Sequence, residues 1–135
     1  MKRQIEILAV ILLSLTTFSC DLFNNDDDDD DVFLIEVESI AAPESVMLGD
    51  SVAVNFFGTI GPNGCFSFSH FEATDIENGI EIDAYGQYIH SRVCAAVIVD
   101  LDGRAYYYVP ETRGMKQVRV NRQNRDPLER VINVE

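Results

Sequence analysis

Residues 65–83 read CFSFSHFEATDIENGIEID. Two extended-looking runs flank Asn78-Gly79, a pair that tolerates positive backbone angles and predicts a two-residue type I′ hairpin. The first run is aromatic, and its period of two places His70 on one face with Phe66 and Phe68. The same texture continues in both directions. Residues 35–40, IEVESI, alternate apolar and polar until Pro43 interrupts. Residues 45–58, SVMLGDSVAVNFFG, turn at Gly49-Asp50 and then set Val52, Val54 and Phe56 on one face. Gly61-Pro62-Asn63-Gly64 is a strong turn signal. Asp102-Gly103 repeats the hairpin device between CAAVIVDL and RAYYYV, and residues 115–121 and 128–134 alternate around RQNRDP. Seven or eight short strands and no helical period predict an all-β chain. The expected architecture is a single antiparallel β-sandwich over residues 32–135.

The 31 residues before that domain have a different character. Lys2 and Arg3 precede an apolar stretch at 7–18, a dozen residues where a bilayer-spanning helix needs roughly 20. Residues 1–19 therefore read as a signal peptide, excluded from the fold. Thr17-Phe18-Ser19-Cys20 closes it. This resembles the lipobox of bacterial lipoproteins, in its looser Bacteroidetes-type form. The resemblance implies that Cys20 receives diacylglycerol on its thiol and a further acyl chain, such as palmitate, on its amine. Thr17 stands where Leu is usual; an ordinary secretory leader with an incidental cysteine is the alternative. Each buried CH₂ contributes ~0.8 kcal/mol, so two or three chains make a durable anchor.

Residues 20–31 form the tether. Asp26, Asp27, Asp28, Asp29, Asp30 and Asp31 are a block of like charge with no apolar content, which reads as solvated and extended. The block resembles the acidic export signal of surface-displayed Bacteroidetes-type lipoproteins. That implies an outer-membrane location facing the cell exterior; a plain hydrophilic spacer is the alternative. With Cys20 lipidated, Cys65 and Cys94 remain, and an exported chain with two cysteines predicts one disulfide. Two buried free thiols are the competing arrangement.

The segment PESVMLGDSVAVNF resembles the entry to bacterial immunoglobulin-like domains, where a Pro and a Gly-Asp turn precede the second strand. The fold expectation sharpens accordingly to an immunoglobulin-like sandwich, although the chain contains no Trp.

Catalytic chemistry is not evident. No H-E-x-x-H, C-x-x-C, G-x-S-x-G or phosphate-binding glycine loop occurs. His70 reads as a strand residue and His90 as a loop residue. DLDG at 100–103 imitates part of a calcium loop whose next positions hold Arg104, Ala105 and Tyr106. No catalytic residue, metal or cofactor is assigned. Tyr106-Tyr107-Tyr108 must alternate faces, predicting two core aromatics and one outward tyrosine able to meet a partner or a sugar ring.

Charge is unevenly spread. Residues 32–91 hold nine acids and no Lys or Arg, whereas residues 92–135 hold eight basic residues against six acids. Arg113, Lys116, Arg119, Arg122 and Arg125 recur every third residue. They are candidate contacts for an anionic glycan, or else partners for the acidic strands of their own sandwich. A formal charge of −13 argues against nucleic acid. The expected function is a non-enzymatic, membrane-anchored surface lipoprotein, working in binding or adhesion or as an accessory of an envelope assembly, with a protein or glycan partner. An inhibitor of exported proteases, presenting a loop at residues 86–92, is the rival.

Overall fold

The computed structural model describes residues 31–135, which form eleven strands and no helix. In chain order these are β1 (Asp31–Leu34), β2 (Ser39–Ala41), β3 (Ser45–Val46), β4 (Val52–Phe57), β5 (Thr59–Gly61) and β6 (Phe66–Ile76). They continue as β7 (Gly79–Tyr88), β8 (Val99–Asp100), β9 (Arg104–Tyr108), β10 (Gly114–Val120) and β11 (Leu128–Val134). β4 and β5 are separated only by a bend at Gly58, and β8 and β9 by a turn at Asp102-Gly103. Cys20 and Asp26–Asp30 lie outside the described residues. Asp31, read above as tether, is a strand residue paired with Tyr88.

β7 organises the larger sheet. Along one edge it pairs with β6. Its other edge is shared: β10 runs parallel to residues 79–82, and β1 runs antiparallel to residues 85–88. β10 then pairs antiparallel with β11, and β11 pairs parallel with β3. Those two parallel pairs depart from the wholly antiparallel sandwich expected. The facing sheet is narrower, ordered β2-β4-β9, and is prolonged past a bend by the β5-β8 pair.

Alternation builds the core between the sheets. Val52, Val54 and Phe56 point in from β4, against Ile80 and Ile82 of β7, Val118 and Val120 of β10, and Ile132 of β11. Each fully buried side chain of this size contributes about 1.5–3 kcal/mol. The IEVESI run crosses between the sheets. Ile35 N–H bonds Ala84 O on one side, and Glu38 N–H bonds Phe57 O on the other, with Ile35 and Val37 buried between. One alternating stretch therefore serves both layers.

Four expectations need correction. First, the register shifts between Phe68 and His70, a β-bulge that puts one extra residue into β6. Phe71 then joins Phe66 and Phe68 against the core, with its ring 4.8 Å from that of Phe68. His70 is turned to the outer face, stacked on Tyr85 with centroids 5.0 Å apart. Second, the β6–β7 hairpin forms, but its two loop residues are Glu77 and Asn78, and neither has positive φ, so it is not type I′. Third, β8 and β9 do not pair with each other across Asp102-Gly103; both pair with the β4–β5 run. Fourth, Gly86, Gln87 and Tyr88 are not loop. They are paired with β1 on one side and β6 on the other, which leaves residues 89–98 as the connection.

Candidate functional site

Two ends of the sandwich carry different chemistry, separated by the length of β7. Its ten residues at about 3.3 Å each span roughly 30 Å. At the β1 end the chain emerges from the N-terminal segment, and the Cys65–Cys94 disulfide closes there with Cα atoms 5.2 Å apart. This bridge ties the start of β6 to the 89–98 loop, the single disulfide expected of Cys65 and Cys94. Closing a loop of 29 residues contributes roughly 3–4 kcal/mol in the chain-entropy account.

At the opposite end lies a cleft of about 370 Å³. The β6–β7 turn lines it with Asp75, Glu77 and Gly79, and β9 lines it with Tyr106, Tyr107 and Tyr108. Glu111, Thr112 and Lys116 close the far side, where the Lys116 ammonium donates a hydrogen bond to the Thr112 hydroxyl. The tyrosines divide as alternation predicts. Tyr106 and Tyr108 are half-buried against the core, with Tyr106 edge-on to Phe71 at 5.7 Å, while Tyr107 is 67% exposed. Burial raises the Tyr108 phenol above its ordinary value of 10.0, and the carboxylates of Asp75 and Glu111 push it further. Both acids thus bear on one hydroxyl, although they are far apart in sequence. An aromatic floor with an acidic rim and one ammonium can stack an apolar ring and hold a cation or hydroxyl groups.

The five basic candidates do not assemble into one ribbon. Lys116 faces the cleft. Arg119 sits opposite Glu81 in the β10–β7 pair, with Nε 3.5 Å from the carboxylate, an ion-pair distance without hydrogen-bond geometry. Arg125 Nε lies 3.3 Å from Glu36, and Arg122 donates to the Asp126 carbonyl at 2.7 Å. Arg113 is exposed in the turn before β10. Two of the five therefore meet acids of the sandwich itself. Partly exposed pairs of this kind contribute at most about 1 kcal/mol.

The two histidines are separately engaged. His70 hydrogen-bonds Ser69 and lies 3.4 Å from Glu72, while His90 meets Asp31 at 3.1 Å. Among the described residues, no group of three or more His, Cys, Asp or Glu could hold a metal ion. The described residues form no helix, and so none long and apolar enough to cross a membrane. Sequence reasoning missed Asp75, Glu77 and Glu111 as a rim. It also missed the exposed apolar residues Ile89, Val93, Val97 and Ile98 of the 89–98 loop. Only the second set had a local signal, since residues 89–99 contain no acid. No family model matches the chain, and comparison with curated proteins and with solved structures finds no match.

Proposed function

We propose that this chain is a non-enzymatic, lipid-anchored surface protein of the bacterial outer membrane whose sandwich holds a binding cleft out from the bilayer. The reading rests on one observation. The cleft and Asp31, the first described residue, lie at opposite ends of β7. An anchor at Cys20 and a tether through residues 26–30 then leave Tyr107 and the acidic rim directed away from the membrane. The partner is a protein or a glycan, met by the tyrosine face and by the charges around it. The work is adhesion, or a place in an envelope assembly.

A photo-crosslinking residue at position 107 tests this in intact cells, with one at Val131 on the outer face of β11 as control. Discrete adducts at 107 that are absent at 131, and lost with Glu111→Ala, are the expected outcome. Equal labelling at both positions would reject the cleft. Mass spectrometry of the mature N-terminus checks the anchor, which Cys20→Ala must remove.

A further inference from the structure

The 89–98 loop is unusual in composition and position. Among the described residues it holds four of the twelve exposed large hydrophobic residues: Ile89 at 45%, Val93 at 84%, Val97 at 53% and Ile98 at 65%. His90 and Arg92 are its only ionisable side chains in a protein of formal charge −13. Nor is the loop free to fold these residues inward. Cys94 is bonded to Cys65, Gly64 N–H donates to Ala95 O at 2.8 Å, and Val97 N–H donates to the same carbonyl at 2.9 Å. Ile89 N–H donates to Cys65 O at 2.9 Å. An apolar surface held in place in this way needs little further ordering to bind.

Position decides what covers it. The loop leaves β7 at Tyr88, which pairs with Asp31, and His90 contacts the Asp31 carboxylate. Cys20 precedes Asp31 by eleven residues, so a chain of that length reaches at most about 40 Å even when fully extended. The loop thus sits at the end of the domain nearest the anchor. We infer that it docks on the lipid surface that holds Cys20, with Val93, Val97 and Ile98 entering the boundary between headgroups and acyl chains; the inference rests on the lipid-anchor reading. Apolar burial drives such contact, and the loop's exposed backbone limits its depth. The aspartates between anchor and loop are repelled by anionic headgroups, so a zwitterionic surface suits the contact best.

The chain contains no Trp, so Val93→Trp provides the sole indole, excited selectively over the five tyrosines, and Tyr107→Trp a matching one at the far end. The full-length lipidated protein carrying either change is placed in vesicles of phosphatidylethanolamine and phosphatidylcholine, with and without brominated acyl chains. The Val93→Trp emission should shift to the blue and lose most of its intensity to bromine, while that of Tyr107→Trp should do neither. Adding Val97→Asp and Ile98→Asp to Val93→Trp should abolish the quenching. Both positions are exposed, so the melting temperature should be retained. Unquenched Val93→Trp on vesicles, with lipid on Cys20 confirmed by mass, overturns the docking and leaves the anchor standing. Absence of lipid on Cys20 removes both. Emission shielded without vesicles, in proportion to protein concentration, would show a second copy covering the loop and also overturn the docking. Equal quenching at both positions would do the same, because the domain would then lie flat.

Discussion

Asn78-Gly79 and Asp102-Gly103 have the same local chemistry, yet one joins two strands that pair and the other joins two that do not. At Asp102-Gly103 both residues take positive φ, 45° and 78°, and Arg104 N–H closes the turn on Leu101 O at 3.0 Å. The chain nevertheless runs on along its neighbour. Leu101 N–H bonds Gly58 O, and Gly103 N–H bonds Phe56 O. At Asn78-Gly79 the strands do fold back, but only Gly79 has positive φ, at 156°, and it is already a strand residue. Its glycine is required by a neighbour rather than by a turn. A Cβ there would lie 1.8 Å from the Gln117 carbonyl oxygen of β10. Turn chemistry sets the angles two residues can adopt. Which strands then pair is decided by the sheet they enter.

The sharpest way to break this contrast is Gly79→Ala. The collision is with backbone, and β10 must move, disturbing the 2.7 Å bond from Gln117 N–H to Asn78 O. Strain and overpacking together should cost about 4 kcal/mol in denaturant unfolding. Gly79→Asn should be no better, because any Cβ meets the same atom. A loss under ~1 kcal/mol would mean that β10 does not approach so closely.

Gly103→Ala should behave differently. The nearest atom to its Cβ is the Phe57 ring at 3.4 Å, an ordinary contact, so only the left-handed backbone is strained. The expected loss is about 1–2 kcal/mol, and Gly103→Asn should recover much of it, since Asn visits this region readily. Rescue by Asn at 103 but not at 79 separates an angular requirement from a spatial one. Equal responses at the two sites would collapse the distinction.

That distinction also explains what could be read in advance. The sandwich, the strand runs, the disulfide and the outward Tyr107 were legible, because alternation and cysteine count are local or compositional signals. The bulge in β6 was not. An inserted residue changes no hydropathy symbol, yet it moves His70 to solvent and Phe71 to the core. Residues 86–88 were expected in a loop, and a glycine such as Gly86 does weaken a strand by roughly 0.5–1 kcal/mol. Hydrogen bonds from strands on both sides override that, and the Phe33 ring fills the space above the glycine. The cleft was invisible for a further reason: Asp75 and Glu111, 36 residues apart, line one cleft only because strands of two different sheets bring them there.

Tyr108 measures that meeting. It ends the strand that begins after Asp102-Gly103, and it faces the rim built by the β6–β7 turn, so its phenol reports on the contact between the two regions. Its value is raised in the folded state by burial, then by Asp75, then by Glu111. The sign follows from which state loses its proton first. Below the ordinary value of 10.0 both states are protonated, and the contribution is fully present. Above 10.0 the unfolded chain ionises first, so stability falls with rising pH until the folded phenol ionises as well. Tyr85 is raised too, by partial burial and by Asp83 and Glu72, so Tyr108→Phe should flatten only part of the alkaline fall in melting temperature. Glu111→Gln should flatten a smaller share, and absorbance titration should show the Tyr108 phenolate forming earlier in that variant. An alkaline fall as steep in Tyr108→Phe as in the parent would mean that the two regions do not meet at this hydroxyl.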